Sequence, residues 1–184
     1  MKFIKTEISD VYIIEPSVFG DARGYFLESF NLEKFEENVS PIKFVQDNES
    51  KSSKGVLRGL HFQNPPFNQA KLVRCIEGRV MDVAVDIRKG SPTYGKHVAV
   101  ELTGENKLQL FVPRGFAHGF SVLSDTAVFA YKVDNSYAPE SDSGIRYDDK
   151  ELNIDWGLNK EEVQLSLKDK NLSFFKDLDS PFKF

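Results

Sequence analysis

Short runs of Val, Ile, Phe and Tyr, bounded by Gly, Pro, Asn or Asp, recur along most of the chain. Such runs predict β-strands, here over 11–14, 25–30, 42–46, 71–76, 80–87, 97–102, 108–112, 120–123 and 127–133. Strands at this spacing predict a sandwich or barrel rather than an alternating α/β fold. Glu77-Gly78 and the stretch 103–106 predict hairpin turns in which Gly supplies positive φ. The clearest alternation runs over 80–87. Met81, Val83, Val85 and Ile87 share one face, and Val80, Asp82, Ala84 and Asp86 share the other. A strand between a core and a polar cavity would carry such a mixed face; so would a strand whose carboxylates meet solvent. Helices are few. Asn31 is a good N-cap for a helix over 31–38 with apolar Leu32, Phe35 and Val39, and a second helix is predicted to begin near 159–162.

Without repeats or a low-complexity linker, 184 residues predict one domain spanning 1–184. A 40% hydrophobic chain with 16 Phe can bury a core without staples. The net charge of −4 argues against a nucleic-acid partner, which calls for a basic stripe. The lone Cys75 excludes an intrachain disulfide and fits a reducing compartment as a small buried apolar residue. The first residues turn polar too soon for a secretion signal, and no apolar run is long enough to span a bilayer. The expected setting is the cytoplasm, with no membrane partner.

The chemistry concentrates in Gly55-Val56-Leu57-Arg58-Gly59-Leu60-His61-Phe62-Gln63 and in Gln69-Ala70-Lys71-Leu72-Val73, two neighbouring extended segments. They hold a base, an anion anchor and a cation suited to an oxyanion. Converging on one cavity, these would remove a proton from a carbon beside a carbonyl on an anionic substrate. Arg58 and His61 have opposite parity, so a regular strand would send them to opposite faces. Gly59 between them suggests a bulge that turns both inward. Lys71, Val73 and Cys75 share a parity, so Lys71 points either into the cavity or out from an edge strand. His97 follows a turn and reads as a surface residue, whereas His118 lies in a glycine-bracketed loop of the kind that lines a barrel mouth. Metal-binding barrels of the cupin type usually carry two histidines two apart; position 63 is Gln, so no metal is expected. Phosphate loops and nucleophile elbows are missing, which leaves Arg23, Arg58 and other scattered cations to meet any phosphate.

Motifs along nearly the whole chain resemble the dTDP-4-dehydrorhamnose 3,5-epimerase family of the cupin superfamily. They fall at 18–30, 44–48, 55–63, 69–73, 82–88, 115–124, 130–132 and 165–169. The resemblance implies an all-β, cupin-type jelly-roll barrel with a few short peripheral helices. It implies a homodimer in which the N-terminal segment reaches the neighbouring subunit, and a small-molecule nucleotide-sugar substrate. It also implies His61 as general base, Tyr131 as the opposing general acid, Asp169 as the partner that orients His61, and Lys71 as the oxyanion stabiliser. Arg23, Glu28, Gln46, Asn48, Arg58, Lys71, His118, Asp142 and Lys168 match substrate-contacting positions, several of them around the nucleotide diphosphate. Asp142 stands where the family commonly has Glu, Tyr147 replaces a usual Trp, and Leu172 falls where Pro is common.

The reaction so implied needs no cofactor. A 4-keto sugar is acidic at carbons 3 and 5. Removing either proton gives an enolate on oxygen 4, and inversion needs protonation from the opposite face. The double epimerase that gives the L-rhamnose precursor is the first reading. A single-centre epimerase on a related dTDP-4-keto-6-deoxy sugar is the alternative.

Overall fold

The computed structural model describes residues 1–184. Along the chain run β1 (Lys2–Lys5), β2 (Tyr12–Glu15), β3 (Val18–Asp21), β4 (Gly24–Leu27), α1 (Leu32–Asn38), β5 (Gln46–Ser53), β6 (Leu57–Gln63) and β7 (Lys71–Glu77). β8 (Arg79–Asp86), β9 (His97–Thr103), β10 (Gln109–Val112), β11 (Phe116–Val122), β12 (Thr126–Val133), β13 (Asp142–Gly144) and α2 (Leu167–Lys170) follow. A six-stranded sheet, β1-β2-β10-β7-β12-β5, faces a five-stranded sheet, β13-β6-β11-β8-β9, while β3 and β4 form a separate hairpin. The paired strands are antiparallel throughout. This is the jelly-roll barrel expected, with helical segments only at its periphery.

Three apolar layers follow from strand parity. Inward residues of both sheets, among them Val73, Cys75, Val80, Ala84, Phe120 and Phe129, fill the barrel interior. The outer face of the five-stranded sheet, with Val83, Val85 and Ile87, is covered by the C-terminal residues Leu152, Trp156 and Phe182. The outer face of the six-stranded sheet is covered in part by α1, whose Phe35 packs edge-on to Phe111 at 5.2 Å. The Asn31 side chain accepts from the Lys34 N–H and starts that helix as predicted. Leu32 stays largely exposed.

Several boundaries differ from the pattern reading. Residues 42–45 carry no strand; β5 begins at Gln46 and runs through the polar sequence QDNESKSS as a sheet edge, paired only with β12. β4 ends at Leu27. The run at 120–123 is the end of the longer β11, so His118 sits on a fully buried strand instead of a loop. Residues 159–162 form a single 3₁₀ turn, closed by Glu162 accepting from the Asn159 N–H, and not a second α-helix. Neither predicted turn closes a hairpin, because β7 and β8, and likewise β9 and β10, lie in different sheets and the chain crosses between them. Gly78 has the positive φ expected, but Gly104 does not; a Cβ there would lie 2.7 Å from the Ile76 carbonyl oxygen, so close packing requires it. Asp82 and Asp86 are both without exposure, which excludes a solvent-facing carboxylate row. Asp86 binds Arg88, Ser91 and Thr93.

One irregularity positions the site. On β11 and β6, His118 pairs with His61 and Phe120 with Arg58, so Gly59 and Leu60 together face Gly119. That is a β-bulge, and it brings Arg58 and His61 to the same face. Gly59 has φ +133°, and a Cβ on it would stand 2.5 Å from the Gly119 Cα. We expect Gly59→Ala to lower stability by at least ~2 kcal/mol in urea denaturation. An unchanged unfolding midpoint would show that the bulge tolerates a side chain.

Candidate active site

His61 lies on β6 in the five-stranded sheet, and Tyr131 and Lys71 lie on β12 and β7 in the six-stranded sheet. Their side chains meet inside the barrel. A cavity of about 520 Å³ is lined by Arg58, His61, Lys71, His118, Tyr131, Lys168 and Asp169, among others. A second lobe of about 350 Å³ shares His61, Lys71 and Tyr131 and adds Gln46, Asn48, Tyr137 and Asp142. The inward orientation of Lys71 follows its parity with Val73 and Cys75, which are in the inner core. Its Nζ lies 6.0 Å from the centre of the Tyr131 ring.

His61 Nε2 is 2.5 Å from Asp169 Oδ1. Asp169 is almost fully buried on α2, and its Oδ2 accepts from Ser166 Oγ at 2.6 Å. The same Oγ accepts the Asp169 N–H at 3.1 Å and caps α2. Burial pushes the Asp169 carboxyl up, but the hydrogen bonds to His61 and Ser166 outweigh it and hold the group below the ordinary carboxylate range. An ionised Asp169 accepts only, so Nε2 carries the hydrogen and the lone pair falls to Nδ1. The resemblance named Asp169 but not Ser166; the Ser-x-x-Asp spacing at 166–169 was the available signal.

The other charges are arranged around this pair. Burial lowers Lys71 to about 8, against the pull of Asp142 and Asp82 toward the ammonium and with a further push down from Lys168. Burial lifts the Tyr131 phenol above its ordinary range, opposed by the Arg58 guanidinium. Arg58 is 3.2 Å from Ser52 Oγ. His118 Nε2 is 2.8 Å from Asp82 Oδ1, forming a second histidine–carboxylate pair on the inner wall. At the mouth, Asp142 pairs with Lys168 and accepts from Tyr137 Oη at 3.1 Å. Gln46 donates to Asn48 at 2.7 Å. Gln63 is tied to backbone, its Nε2 donating to the Phe67 and Ser136 carbonyls and its Oε1 accepting from the Ala138 N–H.

Two expected contacts are not brought to this cavity. Arg23, at the tip of the β3–β4 hairpin, pairs only with Asp21 and is nearly fully exposed. Glu28 is held by Lys34 and Asn31 beside α1.

The family model described as dTDP-4-dehydrorhamnose 3,5-epimerase matches residues 5–177. The chain is 58% identical to the dTDP-4-dehydrorhamnose 3,5-epimerase of Shigella flexneri, covering 97% of this chain and 98% of that one. It is 55% identical to the enzyme of the same name from Escherichia coli K12, over 97% and 96%. Among solved structures, dTDP-6-deoxy-D-glucose-3,5-epimerase from Legionella pneumophila Philadelphia 1, in complex with dTDP-4-keto-L-rhamnose, superposes with a TM-score of 0.95. It is 50% identical, with coverage of 100% of this chain and 98% of that chain. From residue pattern, barrel and these matches together, the chain belongs to the dTDP-4-dehydrorhamnose 3,5-epimerase family.

Proposed function

We propose that this chain is a dTDP-4-dehydrorhamnose 3,5-epimerase, inverting carbons 3 and 5 of dTDP-4-dehydro-6-deoxy-D-glucose. The observation that carries the reading is the placement of His61 and Tyr131 on opposite sheets around one cavity, with Lys71 beside them. His61 takes the proton from carbon 3 or 5. Asp169 fixes the imidazole and stabilises the imidazolium that forms. Lys71 meets the charge that develops on oxygen 4. Tyr131, kept protonated at neutral pH by its raised pKa, returns a proton on the opposite face. Each acid–base group contributes roughly 10²–10⁴-fold. Arg58, Gln46, Asn48, His118, Asp142 and Lys168 hold the rest of the nucleotide sugar. The Lys168–Asp142 pair places the shorter carboxylate at the mouth, between α2 and β13.

A second copy completes the site in this reading. The β3–β4 hairpin leaves Phe19 and Phe26 at 65% and 69% exposure beside an exposed Tyr25, a patch that fits burial against another subunit. A homodimer that seats this hairpin on the partner would carry Arg23 and Glu28 to the partner's cavity. The buried free thiol of Cys75 supports a reducing, cytoplasmic setting.

Three outcomes test this reading. In heavy water with the 4-keto sugar nucleotide, NMR should show deuterium at carbons 3 and 5 and the L-configured product, and His61→Ala should abolish both. Tyr131→Phe should let exchange outrun inversion. Label and inversion at one carbon would select the single-centre alternative, and no exchange by folded protein would sink both. Second, kcat/KM should fall as pH rises through about 8, because the Lys71 ammonium is lost there. Lys71→Arg should move that limb to higher pH, and a limb that stays put would remove Lys71 from its role. Third, inactive Arg23→Ala and His61→Ala proteins, dissociated and reassembled together, should regain roughly a quarter of wild-type activity, since half the dimers carry one intact site. No recovery would place Arg23 in its own subunit's site or outside catalysis.

A further inference from the structure

α2 has only four residues, too few to hold a helix by itself. The chain ties both of its flanks to β6, the strand that carries His61. Before the helix, the Leu57 N–H donates to the Gln164 carbonyl and the Gln164 N–H to the Gly55 carbonyl. After it, the Arg146 N–H donates to the Ser173 carbonyl, and the adjoining Ile145 is bonded to Leu60. Between these ties, Ser166 is the N-cap and Asp169 the third residue of the helix. In an ordinary capping box the side chain at that third position accepts from the N-cap backbone N–H. Asp169 is used differently. Its Oδ2 takes the Ser166 hydroxyl at 2.6 Å and its Oδ1 takes His61 Nε2 at 2.5 Å, so the carboxylate turns away from the helix and toward the base.

The directions of these bonds follow from the cap. Ser166 Oγ accepts the Asp169 N–H at 3.1 Å, which leaves its own hydrogen for Oδ2. We infer that Ser166 is a positioning residue for the proton transfer: its capping hydroxyl fixes the rotation of the Asp169 carboxylate, so that Oδ1 holds the Nε2–H of His61 and the bare Nδ1 is left for the substrate. The lowered pKa of Asp169, to which the Ser166 bond contributes after that of His61, agrees with a hydroxyl that donates. Ser166 lines the cavity, so water can enter in its absence. A water would donate to Oδ2 but has no tie to the backbone, and it would leave the carboxylate free to turn. The inference rests on the epimerase reading for its effect on turnover, whereas its effect on the imidazole is measurable without substrate.

The test compares Ser166→Gly and Ser166→Thr with wild type. Glycine is nearly as good an N-cap as serine but lacks the hydroxyl, and threonine keeps both functions. kcat of Ser166→Gly should fall about tenfold with KM near the wild-type value, the low end for loss of a bond to a charged group because water enters. Ser166→Thr should keep most of the rate. In substrate-free protein with histidine labelled at its ring nitrogens, NMR at about pH 9 reads imidazoles that are neutral when unpaired. His61, identified among the three histidines by loss of its signals in His61→Ala, should show a protonated Nε2 and a bare Nδ1 in wild type. Ser166→Gly should show mixed tautomers. An unchanged ring spectrum in Ser166→Gly, with a rate that is unaltered or falls only in step with the melting temperature, would make Ser166 a helix cap and nothing more, and overturn the inference. Ser166→Ala takes over if the glycine variant does not fold. If wild-type protein exchanges no deuterium at carbons 3 and 5, the epimerase reading fails, while the imidazole spectra still decide whether Ser166 orients the pair.

Discussion

Gly59 and Gly119 approach so closely that neither strand has room for a side chain: a Cβ on Gly119 would stand 2.7 Å from the Arg58 carbonyl oxygen, as tight as the reverse contact. This backbone contact sets the register of β6 on β11. Without it, strict alternation would turn either Arg58 or His61 out of the barrel. With it, both face inward, opposite His118 and Phe120 on the neighbouring strand. The second residue of the bulge, Leu60, bonds by N–H and carbonyl to Ile145, so the irregular stretch is secured from the other side as well. A close contact between two glycines thus determines which charges share a cavity.

Gathering those charges is unfavourable for folding, and their pairing shows how the cost is limited. His61 has Asp169, His118 has Asp82, and Lys168 has Asp142. Lys71 has no contact partner of this kind and is acted on only at a distance. Its folded-state pKa of about 8 lies below the ordinary 10.5, so the folded protein releases this proton more readily than the unfolded chain. The penalty is full below about pH 8 and eases as pH rises from there to 10.5. Stability and the oxyanion role proposed for Lys71 therefore pull it in opposite directions, as is common where function requires a poised group.

The sheets were legible in the sequence wherever one strand face meets a core. β7, β8, β9 and β12 were located within a residue or so, because Val, Ile and Phe alternate there against a packed interior. β5 was not, since its stretch of Gln, Asp, Asn, Glu, Ser and Lys carries no hydrophobic signal and is held by backbone pairing to β12. His118 was misread as a loop residue because its flanking glycines serve close packing at Gly119 and a turn at Gly115. Opposing parity and an intervening glycine pointed to the bulge, but only coordinates distinguish a bulge from a regular strand. The pairing of His61 with Asp169 spans 108 positions, and no local pattern announces it; it came from resemblance. Arg23 and Glu28 were named by the same route, and the single chain leaves them outside the cavity.

Position within the sheets separates the proposed acid–base pair from the proposed substrate contacts. His61 is flanked on both sides, by His118 on β11 and Gly144 on β13, and Tyr131 by Val73 on β7 and Asn48 on β5. Each is locked between two hydrogen-bonded neighbours, which limits drift to fractions of an ångström and suits the opposed base and acid proposed for them. Asp142 sits at a sheet edge, Lys168 on a helix of four residues, and Arg23 at a hairpin tip. Such elements tolerate substitution and movement far better than central strands. Asp142 in place of the family's usual Glu is a change of that peripheral kind. It alters the mouth, where Lys168 and Tyr137 still reach the shorter carboxylate, and leaves untouched the strands that hold His61 and Tyr131.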